Sequence, residues 1–328
     1  MRRLAVDEDG AGQRLDNFLL RELKGVPKTH VYRVIRSGEV RVNGGRAQAD
    51  TRLAAGDEVR VPPVRTAAAP AEASPAPARE FPVLFEDEHL LALDKPAGVA
   101  VHGGSGVSSG VIEQLRRARP GARFLELVHR LDRETSGVLL VAKKRSALTA
   151  LQEQFRARGA DKMVGKTYAA LVAGDWPASL KVIDVPLHKY LTAEGERRVR
   201  ATSPADEAGR RAITLVQVAR RLEGFTLLAV TIRTGRTHQI RVHLAGAGHP
   251  IAGDDKYGDF ELNRRLAREG AGRAGAQPGG QPVRLGRMFL HAQRLRIAHP
   301  ATGEVLELQA PLPEALQRLA DALAAPGA

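Results

Sequence analysis

Residues 1–65 contain two short stretches with helical hydrophobic spacing. In 15–23, leucine or phenylalanine occupies the first, fourth, fifth and ninth positions, which predicts one amphipathic helix. A second helix is predicted over about 27–36, because it has proline near its first turn and Gly38 just after its end. The chain therefore begins with two predicted helices separated by only a few residues.

The same segment continues with strand patterns. Residues 39–42 alternate polar and apolar side chains, and the pair Asn43-Gly44 that follows is typical of a tight hairpin turn. A further alternating run at 57–61 ends at two prolines. We therefore predict that residues 1–65 form a small α+β domain.

Strand patterns dominate residues 81–328. Predicted strands lie at 83–85, 90–94, 138–141, 167–172, 213–219, 226–232 and 304–309, and predicted helices at 111–119, 146–156, 239–245 and 314–324. Few long helical patterns alternate with these strands. We therefore expect an α+β domain on a mostly antiparallel mixed sheet, rather than a doubly wound parallel one.

Two segments depart from these patterns. Residues 66–80 read TAAAPAEASPAPARE, with seven alanines and three prolines, and are predicted to form an interdomain linker. Residues 268–287 are rich in glycine and arginine and are predicted to form a mobile loop.

Composition narrows the class of protein. The chain has 328 residues and no cysteine, which excludes disulfides, thiolate nucleophiles and cysteine-ligated zinc. Its longest apolar runs, such as 138–142, are far shorter than the ~20 residues that span a bilayer. Residues 7–9 are acidic, and no apolar signal-peptide core precedes them. We expect a cytoplasmic protein without a membrane partner.

The charge balance suggests a partner. The formal net charge is +13, which is typical of a protein that binds a polyanion, although a solubilising basic surface explains it equally well. Lys28, Arg33 and Arg36 lie largely opposite the apolar face of the second helix, and Arg41 lies in the adjacent hairpin. This arrangement favours an RNA-binding surface over a merely solvated face. Aromatic residues make up only 4%, which argues against a surface that works mainly by stacking bases.

The densest group of charged side chains is at 128–137, immediately before an apolar strand. It contains Arg130, Asp132, Arg133 and Glu134. These residues form either a structural ion-pair corner or a site in which cations keep one carboxylate ionised, as a nucleophile or base requires. The residues alone leave both interpretations open.

A second cluster lies at 233–243. Gly235 permits a turn, and the residues after it open a helix on which Gln239 and His243 share a face. The arginines and histidines favour an anion-binding helix start, with a solvated basic helix as the alternative. His238 and His243 are five residues apart and poorly aligned, so no metal is predicted.

Four smaller features are consistent with ordinary structure. Tyr168, alone in its strand, is typical of core packing, although its ring is also able to stack on a base. Residues 289–292 are apolar around one histidine, and 93–98 end a strand with a Pro/Gly turn. The glycine-rich 103–106 lacks the Lys-Ser/Thr ending of a phosphate-binding loop.

The N-terminal segment resembles the S4 RNA-binding domain. The resemblance is carried by Arg14–Leu19, Tyr32–Gly44 and Ala55–Val59. It implies a structured RNA as partner.

The rest of the chain resembles the RluA family of pseudouridine synthases. The sequence HRLDRETSG at 129–137 is similar to the family's catalytic signature, and 166–168, 235–243 and 290–292 follow in the expected order. Residues 23–28 and 35–42 are similar to the RluC type. The resemblance implies the pseudouridine synthase fold over 81–328, an S4 domain over 1–65, and large-subunit (23S) ribosomal RNA or a ribosomal precursor as partner.

The family resemblance also implies roles for single residues. Asp132 is the essential carboxylate, Arg241 pairs with it, Tyr168 packs on the target base and is able to assist a late proton step, and Leu290 forms an apolar wall. Arg130, Arg133 and Arg236 would position phosphates, while Lys28, Arg33, Arg36 and Arg41 would contact RNA from the S4 domain. The reaction is an isomerisation, so no cofactor or metal is expected.

Alternatives remain at this point. The same chemistry on a different ribosomal RNA helix or on tRNA, and a non-catalytic S4-type ribosome-assembly protein, both account for the charge. We expect a monomer.

Overall fold

The computed structural model describes residues 1–8, 10–23, 25–64, 76–103, 109–157, 163–192, 196–271 and 281–324. The chain divides into two compact units, Met1–Pro75 and Ala76–Ala328, each with its own apolar core. Most of the predicted linker lies outside the described residues, as does the central part of the predicted 268–287 loop, so both stay predictions.

The first unit combines two helices with a small antiparallel sheet. Its elements are β1 (Arg2–Ala5), α1 (Leu15–Glu22), α2 (Lys28–Arg36), β2 (Arg41–Val42), β3 (Gly45–Arg46) and β4 (Glu58–Val61). The strand order is β1-β4-β2-β3. Apolar residues of both helices and of β4 form one core, including Phe18, Leu19, Val31, Ile35 and Val59. The helical spacing in the sequence therefore marks the buried faces correctly.

The β2–β3 hairpin turns on two residues. Asn43 and Gly44 have φ of 49° and 78°, the left-handed pair that matches the twist of a two-residue hairpin. Val42 then pairs with Gly45. The predicted turn is confirmed, while the strand before it begins at Arg41 rather than at residue 39.

The second unit is built on twelve of the strands described. They are β5 (Val83–Glu86), β6 (Leu90–Lys95), β7 (Glu126–Leu127), β8 (Ser136–Ala142), β9 (Gly165–Ala173), β10 (Val182–Asp184), β11 (Leu187–Leu191), β12 (Arg197–Ala201), β13 (Ile213–Leu222), β14 (Phe225–Ile232), β15 (Leu290–Ala298) and β16 (Val305–Gln309). Its helices in the described residues are α3 (Val111–Ala118), α4 (Arg145–Arg156), α5 (Gln239–Gly246), α6 (Phe260–Arg268) and α7 (Glu314–Ala322).

One large sheet organises this unit. Its strand order is β10-β13-β14-β9-β15-β8-β6-β5, with β16 paired to β15 and β7 to β8. The β8–β15 pair is parallel, and the other ladders recorded for this sheet are antiparallel. The predicted mostly antiparallel mixed sheet is confirmed. Strands β11 and β12 form a separate two-stranded ribbon.

Both faces of the large sheet are covered. In β6, Leu91 and Leu93 belong to one core cluster, whereas Leu90 and Ala92 belong to another. Since successive side chains point to opposite faces, this strand is buried on both sides, which explains its continuous apolar run. Among the described residues, no helix has both the length and the apolar character needed to cross a bilayer.

Candidate active site

Asp132 lies in the loop that leads into β8, and this loop is tied to β15. Ser136 pairs with His291 in the parallel β8–β15 ladder, and Ser136 Oγ lies 2.9 Å from His291 Nδ1. Burial lowers the pKa of His291 to about 4, so the ring is neutral in this contact. The next residue, Gly137, has φ of 108°, and a Cβ there would lie 2.2 Å from Ala292 O. Only glycine therefore permits the loop to join the sheet here.

A buried lysine holds the other side of the loop. Lys95 Nζ donates to the carbonyl oxygens of Pro96 (2.7 Å), Val99 (2.8 Å) and Arg133 (3.1 Å). Burial lowers the pKa of Lys95 to about 7. Because Arg133 follows Asp132 directly, the lysine fixes the backbone beside the carboxylate. Residues 93–98 are predicted only as a strand end with a Pro/Gly turn, although a lysine at the end of an apolar strand is a signal that it has an internal partner.

The second cluster follows β14 and is organised by Gln239. Its Oε1 accepts from Thr234 Oγ1 (2.7 Å) and the Arg236 N–H (3.1 Å), and its Nε2 donates to Ile213 O and Thr214 Oγ1 at 3.0 Å. His243 Nδ1 also contacts Thr214 Oγ1, at 2.8 Å. Gln239 and His243 thus share a helix face, as their spacing predicts. Their role here is to dock α5 on β13.

Arg241 stands on the first turns of α5 and is only 3% exposed. Its Nη1 lies 3.7 Å from Asp132 Oδ2, within ion-pair range. Its hydrogen bonds, however, go to Asp254, with Nε–Oδ2 at 2.7 Å and Nη2–Oδ1 at 2.6 Å. Nη2 also contacts Asp255 Oδ1 at 3.0 Å. Arg241 is therefore in ion-pair range of Asp132, as expected, and it is shared by two further carboxylates that the sequence did not indicate.

These carboxylates keep the arginine charged. Burial alone would lower the pKa of Arg241, but its hydrogen bonds to Asp254 and the charges of Asp254, Asp132 and Asp255 raise it above the ordinary value. Burial likewise favours the protonated form of Asp254, yet Arg241 holds the pKa of that carboxyl below its usual range. Both shifts favour the ionised forms of the two groups.

Asp254 was missed by the sequence analysis. It follows the buried Ile251 and Ala252, and its Oδ1 also accepts the N–H groups of Lys256 (2.9 Å) and Tyr257 (3.0 Å). An acidic pair directly after an apolar run, in a strongly basic chain, was the available signal. Nothing local in the sequence indicates that its partner is thirteen residues away.

The same corner brings His238 beside Asp132. His238 precedes α5 with φ of 52°, a left-handed conformation that few residues other than glycine adopt. Its Nε2 lies 3.9 Å from Asp132 Oδ2. Burial lowers the pKa of His238. The described residues contain no group of three or more potential metal ligands.

Asp132 opens into a cleft of about 1020 Å³. Tyr168 from β9 and Leu290 from β15 are buried in its wall, together with Ile232 and Ile240. Burial, and then the charge of Asp132, raise the pKa of Tyr168 above its ordinary value, so the phenol is protonated at neutral pH. The side chain of Asp132 is 22% exposed. The cleft therefore presents an accessible carboxylate against an apolar, partly aromatic wall.

Basic residues line this cleft, and they include all but one of the arginines expected there. Arg130 and Arg236 line it and are exposed, with Arg156, Lys166, Arg211 and Arg233 also in its lining. Arg133 does not line it; its Nε pairs with Glu134 Oε1 at 2.8 Å. The structure thus brings Asp132, Arg241, Tyr168, Leu290, Arg130 and Arg236 to one cleft and leaves Arg133 outside it.

In the first unit, Lys28, Arg33 and Arg36 are exposed on α2 and Arg41 is half-buried on β2. Arg33 Nη2 lies 3.0 Å from His30 Nδ1. The α2 side chains are therefore accessible to a partner, and their contact with RNA stays a prediction.

Comparison with protein families identifies both units. The family model described as RNA pseudouridylate synthase matches residues 89–246, and the S4 domain model matches residues 13–59. The first match contains Asp132, Tyr168 and Arg241.

Curated relatives cover nearly the whole chain. The chain is 52% identical over 320 residues to ribosomal large subunit pseudouridine synthase C of Escherichia coli K12, covering 96% of this chain and 94% of that protein. It is 50% identical over 330 residues to the protein of the same name from Pasteurella multocida, covering 98% and 94%.

Solved structures share the fold of the second unit. Human RNA pseudouridylate synthase domain containing 4 matches with a TM-score of 0.53 and 27% identity, over 72% of this chain and 92% of that chain. Human RNA pseudouridylate synthase domain containing 1 matches with a TM-score of 0.52 and 25% identity, over 74% and 86%.

Proposed function

The chain belongs to the RNA pseudouridylate synthase family, and from this premise we propose that it converts specific uridines of 23S ribosomal RNA to pseudouridine, with Asp132 as the essential carboxylate. The observation that carries the site assignment is the position of Asp132 in the cleft, 3.7 Å from the buried Arg241 and beside Tyr168 and Leu290. The substrate is supported by the names of the relatives, which share half their residues with this chain over nearly its whole length.

The reaction breaks one bond between the ribose and the base and forms another. The bond between ribose C1′ and uracil N1 breaks, the base turns within the site, and C1′ joins C5. The proton on C5 is lost and N1 gains one, so substrate and product are isomers. Asp132 either attacks C1′ or removes a ribose proton to give a glycal, and both routes need an ionised carboxylate beside the ribose.

The walls of the cleft suit the detached base. Uracil must leave its stack to reach Asp132, at a cost of a few kcal/mol that is lower in an RNA loop. Tyr168 and Leu290 provide a flat, apolar surface that retains the free base while it turns. Because the phenol of Tyr168 is protonated, its O–H is available as a donor or proton carrier in the late step.

In this proposal the two units have different roles. The first unit, with Lys28, Arg33, Arg36 and Arg41, binds structured RNA through phosphates, and Arg130 and Arg236 position the backbone at the cleft. We place the boundary between them within the Ala/Pro-rich segment 66–80. We further propose that the protein acts in the cytoplasm, on ribosomal RNA or a ribosomal precursor.

Pseudouridine mapping in a deletion strain tests this function. Ribosomal and transfer RNA from the strain are compared with RNA from strains complemented by the wild-type gene or by Asp132→Asn. We expect defined 23S pseudouridines to be absent, to return with the wild-type gene, and to stay absent with the variant. If pseudouridine were lost only from tRNA, the assignment of 23S ribosomal RNA as the substrate would be wrong. If Asp132→Asn restored the 23S pseudouridines, a non-catalytic RNA-binding role would be supported instead.

A further inference from the structure

His238 lies beside the carboxylate of Asp132 and contacts a second side chain. Its backbone adopts a left-handed conformation, which costs energy for a residue other than glycine and which clusters at functional sites as well as in turns. On one side its Nε2 faces Asp132 Oδ2 at 3.9 Å, and on the other its Nδ1 lies 2.9 Å from Tyr257 Oη. The ring therefore bridges Tyr257 and Asp132.

The contact with Tyr257 bears on which ring nitrogen of His238 carries the proton. Tyr257 Oη accepts the Val199 N–H at 3.1 Å, which uses one lone pair of the hydroxyl. Among the described residues, Nδ1 of His238, 2.9 Å away, is the recorded contact able to accept the tyrosine proton. With the tyrosine donating to Nδ1, a neutral imidazole carries its hydrogen on Nε2. Burial, which lowers the pKa of His238, keeps the ring neutral.

Tyr257 also contacts the arginine. The Arg241 guanidinium carbon lies 5.2 Å from the centre of the Tyr257 ring, and the His238 ring meets the same ring edge-on at 5.5 Å. Both groups that approach Asp132 Oδ2 thus contact the same tyrosine. The tyrosine in turn is anchored by its N–H bond to Asp254 Oδ1 at 3.0 Å.

We propose that His238 is a positioning residue for Asp132: locked by Tyr257 in the tautomer with hydrogen on Nε2, it directs that N–H at Oδ2 beside Arg241 Nη1 and leaves Oδ1 to face the ribose. This inference rests on the proposed function of Asp132. Both distances to Oδ2 exceed a hydrogen bond, and such contacts commonly tighten once substrate fills the site. The carboxylate is then oriented by one neutral and one charged donor.

The tautomer is measurable without any turnover. In the ¹⁵N-labelled full-length protein, long-range ¹H–¹⁵N correlation spectra at neutral pH report which nitrogen of each histidine is protonated. His238 is assigned by the signal missing from His238→Asn, a substitution chosen because asparagine tolerates a left-handed backbone. We expect hydrogen on Nε2 in the wild type and a mixture of tautomers in Tyr257→Phe. Hydrogen on Nδ1 in the wild type, or no change in Tyr257→Phe, would overturn the proposal.

Single-turnover kinetics on a 23S RNA fragment test the consequence. We expect His238→Asn to lower the rate of the chemical step about ten-fold, the effect of one lost hydrogen bond to a charged group, with RNA affinity unchanged. Tyr257→Phe should lower the rate of the chemical step less. The double variant should have the same rate as His238→Asn. His238→Gln, which returns an amide N–H on a longer side chain, should recover part of the rate.

A matched control separates this inference from the proposed function. His89→Asn alters a histidine outside the cleft and should leave the rate at the wild-type value. If the wild type forms no pseudouridine, the proposed function is wrong, but the tautomer of His238 is still measured by the NMR experiment. If the wild type is active and both His238→Asn and Tyr257→Phe match it, the positioning role alone is rejected.

Discussion

Asp16 in the first unit and Asp132 in the second are both aspartates beside an arginine, yet their surroundings differ. The Asp16 carboxylate accepts from Arg14 Nη2 (2.7 Å), Arg14 Nε (3.1 Å), Tyr32 Oη (3.1 Å) and the Asn17 N–H (2.8 Å), and it is 3% exposed. The side chain of Asp132 is 22% exposed, and Arg241 Nη1 lies 3.7 Å from its Oδ2. A carboxylate with every acceptor position in use ties helices together, whereas one with open positions is able to bind and react with a substrate.

In the second unit, an additional carboxylate keeps the acceptor positions of Asp132 open. Arg241 would move onto Asp132 if nothing else held it, because a bidentate pair is the strong geometry for arginine and a carboxylate. Asp254 takes that place. The arginine is therefore fixed and charged near Asp132 without blocking it.

Removing the reacting oxygen should give the largest effect. We expect Asp132→Asn to lower the single-turnover rate of pseudouridine formation by at least about 10⁴-fold, because no other described carboxylate in the cleft lining can replace it. RNA affinity and the unfolding midpoint should stay near the wild-type values. Asp321→Asn, at an exposed position on α7, is the matched control. Normal turnover by Asp132→Asn would reject the assignment.

Arg241→Met should affect activity and stability together. We expect the rate to fall about 10²- to 10³-fold, since a preorganised charge beside the reacting group is lost. Unfolding should become easier by about 3–5 kcal/mol, because Asp254 is left buried without its partner. The chain's single tryptophan, Trp176, is buried in the second unit and reports this unfolding in urea.

A double variant separates these two effects. Arg241→Met/Asp254→Asn removes both charges and should recover much of the lost stability but none of the activity. If the double variant were as unstable as Arg241→Met, the buried pair would not be the source of the loss.

The basic side chains of α2 should affect binding rather than chemistry. We expect Arg33→Gln and Arg36→Gln each to weaken RNA binding roughly three- to ten-fold and to reduce the slope of log affinity against log salt by about one. The single-turnover rate at saturating enzyme should not change. Arg3→Gln, on β1 and paired with Glu58, serves as control. An unchanged salt slope would show that these side chains do not contact phosphates.

Asp16 should affect the stability of the first unit rather than RNA binding or chemistry, visible as a pH dependence. The hydrogen bonds from Arg14 hold the pKa of Asp16 below its usual range. A carboxyl with a lower pKa in the folded state contributes stability above its unfolded pKa of about 4, and this contribution is lost as pH falls through the folded value.

Hydrogen-exchange protection of amides in α1 and α2 measures this dependence in the full chain. Wild-type protection should fall between pH 5 and pH 3. Asp16→Asn should be less protected at pH 6 by about 1–3 kcal/mol, the cost of weakening a buried hydrogen-bonded group, and should vary less with pH. Identical pH profiles would contradict this role for the Arg14–Asp16 pair.

Local patterns in the sequence were sufficient for many elements. The helical spacing at 15–23 marked α1, and Asn43-Gly44 marked the hairpin, because both depend on neighbouring residues only. Some elements were not predicted despite a local signal. In strand β15 two exposed arginines alternate with the buried Leu295 and Ile297, but only its apolar beginning was noticed. Helix α6 was missed, although Asp259 caps its first turn by accepting the Glu261 and Leu262 N–H groups.

Residue type and local periodicity were enough to predict a carboxylate at 132 among cations, an arginine on a helix at 241 and a tyrosine in a strand at 168. That these three residues belong to one site was implied by the family resemblance. Their arrangement became visible in the three-dimensional structure alone: the hydrogen bonds of Arg241 to Asp254, the position of His238 beside Asp132, and the exclusion of Arg133 from the cleft. Hydrogen bonds and ion pairs depend on distances of a few ångströms between segments far apart in the chain, and residue order does not specify those distances.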